Sequence, residues 1–248
     1  RALPLSAQRL VNLYPELQPP DAKAKLALYG TPGLATFSTS GTGPIRGLHT
    51  MSNVLYAVSG TGVYKVDSAG AGTLLGTVGG AGPVSMANNG TELAIVTPDD
   101  AGKGYIATST TLTLISDVDF LSASSVVYLD GYFVFTRLNS QQFFSSDLLA
   151  GLVYDALDIA TAESSPDNLV GGAVLDRQLW LLGETSTEMW LNTGGQGFPF
   201  ERITGGVIQK GCAARASIAV DDEAIYWLGD DLFVYRGIGL QAQRISTH

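Results

Sequence analysis

The sequence is poor in most of what protein chemistry usually draws on. One cysteine, Cys212, stands among 248 residues, so no intramolecular disulfide can form and a disulfide-built secreted scaffold is excluded. With only His49 and His248 beside it, the chain has no zinc constellation. Cys212, in "QKGCAARASIAV", reads as a small buried apolar residue and not as a nucleophile. Charged residues make up 15%, against about 25% in an average domain. The 14 Lys and Arg are dispersed singly or in pairs, and the formal net charge is −9. Non-specific nucleic-acid binding works through cations that neutralise phosphates, so tight direct DNA binding is not expected. No run approaches the roughly 20 apolar residues of a membrane helix, and "RALPLSAQRL" does not read as a signal peptide. It also lacks an initiating Met, and the chain is expected to be the N-terminal part of something longer.

Catalytic motifs are missing too. There is no G-x-S-x-G elbow and no glycine-rich loop followed by Lys-Ser or Lys-Thr. "GTGPIRG" and "GGAGPVS" have the glycines of a phosphate loop but no helix after them to supply an N-terminal dipole, and they read as connections between repeats. "DVDF" does not continue into a calcium loop. Acid pairs occur at Asp99-Asp100, Asp117/Asp119, Asp221-Asp222 and Asp230-Asp231. Two carboxylates about 5–10 Å apart could cleave a glycoside, but most of these pairs fall where hairpin turns are expected, and there Asp is favoured for local hydrogen bonds. "NGT" at Asn89 reads as a turn. No catalytic, cofactor-binding or metal-ligating residue is assigned, no cofactor is expected, and the chain does not read as an enzyme.

What the sequence has is glycine, 30 residues of it, and 45% apolar residues. The two combine in "SSVVYLDGYFVFT", residues 124–136, two strand-like runs joined by Asp-Gly, the strongest short-range hairpin signal. Near-copies recur with turns at Ser52-Asn53, Asn89-Gly90, Asp130-Gly131, Asp176-Arg177 and Asp221-Asp222, spaced 37, 41, 46 and 45 residues apart. Each turn is followed by an apolar strand ("VLYAVSG", "ELAIVTP", "YFVFTR", "QLWLLGE", "AIYWLGD"). A third strand then follows, and commonly a fourth. Four strands every 40–45 residues is the period of a β-propeller blade.

The fold expected is therefore an all-β propeller of about six four-stranded blades, one domain over 1–248. Five repeats are full. "RLVNLYPEL", "AKLALYG" and "LATFSTS" would form three strands of a partial N-terminal blade. A pair of stacked β-sandwiches is the alternative. In the third repeat "LVYDALDIATAESSPDNL" replaces a clean fourth strand, and "SSDLLAGLVYDAL" could form a short inserted helix. Strand aromatics such as Phe133, Phe135, Phe143, Phe144, Trp180, Trp190 and Trp227 could stack on sugars or bases but are expected to pack blade on blade. Trp180 and Trp227 occupy equivalent places in successive repeats.

Certain residues also carry a resemblance. Arg46-Gly47, Asn53, Tyr56, Tyr64-Lys65, Gly82, Val84-Ser85-Met86-Ala87, Pro166-Asp167, Gly183, Thr187-Glu188 and Thr193-Gly194 resemble, in order, motifs of the packaged-DNA stabilisation or tail hub proteins of short-tailed bacteriophages. The segment "IQKG" at 208–211 is similar as well, and together the likeness spans roughly residues 10–240. It implies a structural protein of the virion tail, a hexamer that meets the portal or adaptor ring, closes the channel after packaging and offers surfaces to tail fibres, spikes or a needle. No membrane partner is implied, and no family residue is carried over as catalytic. A propeller that binds or cleaves glycans is the alternative function, and a bacterial scaffold propeller a third.

Overall fold

A computed structural model describes residues 11–195, 197–221 and 223–246. The chain divides into two compact units, Arg1–Phe37 and Ser38–His248.

In the first unit, β1 (Leu13–Leu17) pairs antiparallel with β2 (Leu26–Gly30), and the rings of Tyr14 and Tyr29 stack across the pair at 5.8 Å. "LATFSTS" was expected to add a third strand, but residues 34–40 form none. Leu34 and Phe37 are exposed there. Apolar strand propensity describes fit to a pleated, half-buried surface, and these residues have none to fit.

The second unit holds five four-stranded antiparallel sheets, each built in chain order. The first comprises β3 (Ile45–Met51), β4 (Val54–Ser59), β5 (Gly62–Val66) and β6 (Gly72–Thr77). The second comprises β7 (Ser85–Asn88), β8 (Leu93–Thr97), β9 (Lys103–Ala107) and β10 (Leu112–Leu114). The third is β11 (Ala123–Leu129), β12 (Tyr132–Arg137), β13 (Gln142–Ser145) and β14 (Ile159–Thr161). The fourth is β15 (Leu169–Leu175), β16 (Gln178–Gly183), β17 (Thr187–Asn192) and β18 (Phe200–Ile208). The fifth is β19 (Ala219–Asp221), β20 (Ala224–Leu228), β21 (Val234–Ile238) and β22 (Gln241–Arg244). The only helical turn among the described residues is 3-10, at Arg215–Ser217, and no helix is long and apolar enough to cross a membrane.

The expected turns account for the sheets. At Ser52-Asn53, Asp130-Gly131 and Asp176-Arg177 both central residues have positive φ, and the flanking pairs Met51↔Val54, Leu129↔Tyr132 and Leu175↔Gln178 close two-residue loops. That is the mirror-image turn whose twist matches the strands it joins. Asn89-Gly90 differs: Asn88 pairs with Leu93, leaving a four-residue loop in which Asn89 Oδ1 accepts the Thr91 and Glu92 amides.

The second strands show how the sheets stack. Along β8, Leu93 and Ile95 pack with Tyr56 and Val58 of β4, while Ala94 and Val96 pack with Phe133 and Phe135 of β12. Val134 of β12 packs with Leu179 and Leu181 of β16, and Trp180 and Leu182 with Ile225 and Trp227 of β20. Successive side chains of a strand point to opposite faces, so each middle sheet contributes alternate residues to the core on either side. The first strands β3, β7, β11, β15 and β19 lie in turn beside one another. These sheets are the blades of a β-propeller, five complete, with the two-stranded hairpin preceding them.

Two further expectations change. The third blade has a fourth strand after all, the short β14 inside "LVYDALDIATAESSPDNL". "SSDLLAGLVYDAL" forms no helix: it is a run of tight turns around the Asp147↔Ala150 bridge, with Leu148, Leu149, Leu152 and Val153 all exposed. A helix is stabilised by burying one apolar stripe, and no such stripe is buried here.

Candidate functional site

The most elaborate polar construction lies where the first two blades meet. A bulge in β3, between Ile45 and Gly47, marks the place of Arg46. Bulges re-aim side chains, and that of Arg46 runs inward until it is 2% exposed. Its Nε donates to Gly82 O at 2.7 Å, Nη1 to Gly60 O at 2.9 Å and Nη2 to Gly79 O at 2.8 Å. One guanidinium thus satisfies carbonyls of the Gly60 turn and of "GGAGPVS", the stretch connecting β6 to β7. Asp99, on the turn after β8, completes the joint. Its Oδ2 accepts the Ala81 and Gly82 amides, each at 2.5 Å, and its Oδ1 lies 3.6 Å from Arg46 Nη2. The Gly82 and Ala81 amides, with a smaller contribution from the Arg46 charge, hold the Asp99 carboxyl below its ordinary value. Gly47 belongs to the same joint, since a Cβ there would lie 2.5 Å from Val84 Cγ2 and 2.9 Å from Met86 Sδ.

Further along, single hydroxyls stitch first strands that do not pair with each other. Ser85 Oγ accepts Val126 N at 3.0 Å, joining β7 to β11, and Ser125 Oγ accepts Gly172 N at 3.2 Å, joining β11 to β15. Arg215 Nη1 donates to Ser124 O at 2.7 Å. Hairpin tips touch as well: Ser52 Oγ donates to Gly90 O at 2.7 Å, and Arg177 Nη2 lies 3.0 Å from Asp130 Oδ2. In the fourth blade, Asp167 accepts the Thr185 and Ser186 amides and both hydroxyls. Glu188, 1% exposed, accepts Ser164 N at 2.5 Å and Trp190 Nε1 at 3.1 Å. Side by side, the first strands enclose a cavity of about 470 Å³ with a mostly apolar wall; Arg215 and His49 reach it from opposite ends of the strand row. Burial lowers the pKa of His49, whose Nε2 lies 2.7 Å from Asn88 Nδ2.

The residues weighed as chemical candidates are occupied structurally. Asp100 pairs with Lys103 at 3.1 Å in the β8–β9 turn. Asp117 accepts Asp119 N and Tyr154 N. Asp231 accepts Tyr235 OH at 2.6 Å and Lys210 Nζ at 2.9 Å, which together hold its carboxyl down to about 2. Asp221 ends β19; Asp222 and His248 lie outside the described residues. Cys212 is 2% exposed in the core between the last two blades, and burial pushes its thiol up. Among the described residues no group of three or more His, Cys, Asp or Glu could hold a metal ion. Phe133, Phe135, Phe143, Phe144, Trp180, Trp190 and Trp227 are all buried between blades. Trp180 and Trp227 tilt against each other at 6.5 Å, and Gly237 leaves room for both, since a Cβ there would lie 2.8 Å from each ring.

A family profile described as bacteriophage P22 Gp10, β-propeller, matches residues 5–248. The chain belongs to that family. It is accordingly a bacteriophage structural protein of the DNA-stabilisation class. No curated protein matches. Among solved structures the chain is similar to BamB from Moraxella catarrhalis, with 11% identity, a TM-score of 0.52, and coverage of 82% of this chain and 61% of that one. It is also similar to a chain of the nidogen/laminin complex, with 15% identity, a TM-score of 0.53 and coverage of 78% and 75%. The extracellular domain of the one-component system BT4673 from B. thetaiotaomicron matches with 15% identity and a TM-score of 0.55 over 90% of this chain and 31% of that one. These likenesses concern the fold. Against BamB the chain spans about three fifths of the other protein's length. The motif residues that resembled the family by sequence are the ones found in the joints: Arg46, Gly47, Gly82, Ser85, Asp167 and Glu188. Reading the sequence alone marked them without showing their task, because their partners lie on other blades.

Proposed function

We propose that the chain is the propeller of a tail hub that completes the virion after packaging, closing the portal channel and joining the adaptor ring to the distal tail. The observation that carries this reading is the match of the Gp10 family over residues 5–248, combined with the use of its motif residues to lock blade to blade. A protein whose distinctive residues are spent on rigidity suits a load-bearing part better than a catalyst. Charge supports the same assignment. At −9, retention of DNA by gripping phosphates is disfavoured, and retention by closing the exit is what remains. In this reading the hub works as a hexamer and without enzymatic activity. Loops at opposite ends of the strands address different virion proteins.

The test is DNA retention in particles assembled without the full-length protein. Heads that package to normal density, then leak DNA, and are rescued by adding the purified protein are the expected result. Heads that stay full but fail to attach to cells would overturn the reading in favour of a receptor- or glycan-facing part.

A further inference from the structure

The turns between β13 and β14 present an unusual surface. Leu148, Leu149, Leu152, Val153 and Leu157 are 57%, 67%, 39%, 46% and 79% exposed, which makes a contiguous apolar ridge on a soluble fold. Single exposed apolar residues need no explanation, but a cluster with a polar rim marks an interaction surface. The ridge is firmly held. Asp147 N donates to Val153 O at 2.9 Å, Leu149 N to Gly131 O at 2.8 Å and Tyr154 OH to Gly151 O at 2.9 Å. Glu92 of the neighbouring blade accepts Gly151 N, and Asp117 accepts Tyr154 N. Leu149 is kept at φ +56, a left-handed conformation that costs a bulky residue about 1–2 kcal/mol. The backbone is fixed, and its apolar side chains stand outward.

The rim has one sign. From residue 138 to 176 there is no Lys or Arg, but there are Asp147, Asp155, Asp158, Glu163, Asp167 and Asp176. Burial, with the charges of Asp155 and Asp147, raises the pKa of Asp158, so these three carboxylates feel one another. Among the described residues none of Glu92, Asp117, Asp147, Asp155 and Asp158 forms an ion pair. The nearest cation on the adjoining hairpin tip, Arg177, is bound to Asp130. A second copy placed ridge to ridge would set like charges face to face, which disfavours self-association there.

We propose that the Asp147–Asp158 loop is a docking ridge for another protein of the virion, one that presents an apolar hollow rimmed by Lys or Arg. The proposal rests on the virion reading above, and the experiment separates the two. Full-length protein carrying a photo-cross-linking residue at position 149 or 157 is added to particles assembled without it, irradiated, and the products are mapped by mass spectrometry. In parallel, Leu149→Ser/Leu157→Ser and Asp155→Lys/Asp158→Lys are compared with wild type for attachment at two salt concentrations. Since all four side chains face solvent or the rim, thermal unfolding should be unchanged and serves as the folding control. The expected result is a cross-link to one other virion protein, within an apolar segment flanked by basic residues. Both double variants should attach about tenfold or more weakly, the size of a modest hot-spot loss, and wild-type attachment should weaken with salt. A cross-link to a second copy, to the chain itself or to DNA would overturn the proposal, as would normal attachment by both variants. If wild type rescues DNA retention while the variants also do, the ridge fails and the hub reading stands. If wild type cross-links to a virion protein as expected but rescues nothing, the ridge stands and the hub reading fails.

Discussion

The fourth and fifth blades carry the same tryptophan at the same place in their second strands, yet the two strands are buried differently. In β16 every residue from Leu179 to Gly183 is buried, because Leu179 and Leu181 face the third blade while Trp180 and Leu182 face the fifth. In β20, Ile225 and Trp227 are fully buried against the fourth blade, but Tyr226 and Leu228 on the other face are only half-buried. The third strands repeat the contrast: β17 is buried for four residues, whereas β21 alternates, with Val234 and Ile238 exposed. Local sequence does not cause this difference, since both strands are equally apolar. A propeller strand is buried throughout only when a sheet covers each face, and the fifth blade has one covered face among the described residues.

The comparison can be broken most directly at the large side chains. Trp180→Ala should cost about 3–5 kcal/mol, as large-to-small changes in a closed core do. Tyr226→Ala, one strand over and facing the open side, should cost less than about 1.5 kcal/mol. Denaturant midpoints at constant slope would measure both, and equal costs would mean that the outer face of β20 is covered in solution. Next is the joint of the first two blades. Arg46→Ala should destabilise by about 2–4 kcal/mol, because three carbonyls lose a charged donor. Arg46→Lys should recover only part of this, since an ammonium cannot reproduce the planar fork. The smallest effect concerns acid. Asp99 and Asp231 both titrate below their ordinary 3.8, so each contributes stability that is fully present above that value. For Asp231 this contribution disappears as the pH falls toward 2. Asp99→Asn and Asp231→Asn should therefore flatten the acid limb of a stability-against-pH curve and change little at neutral pH. An unchanged acid limb in Asp99→Asn would remove Asp99 from the joint.

How much of this was legible in the sequence depended on how local the cause was. The turns at Ser52-Asn53, Asp130-Gly131 and Asp176-Arg177 were readable because mirror-image turns demand Gly, Asn or Asp, and with them came blade period and strand order. The blade-on-blade role of Trp180 and Trp227 followed from their equivalent positions. The loop at Leu148–Leu157 misled, since its leucines imitate a helical stripe, and only tertiary structure shows that nothing covers them. "LATFSTS" misled in the opposite way, having strand propensity without a strand to pair with. The Arg46 joint could be flagged, as an arginine between glycine-rich connections in a chain with few cations, but its three acceptors are 14 to 36 residues away. No periodicity encodes such a distance.

The hydroxyl stitches between the first strands have a mechanical consequence. Strands within a blade are held by ladders, whereas β7 meets β11, and β11 meets β15, through one serine peg each. A push along the cavity axis is therefore shared among stiff plates that can each tilt slightly about a peg while their ladders stay whole. A body of this kind yields a little at every seam before it breaks at any one, a useful property for a plug against a pressurised head.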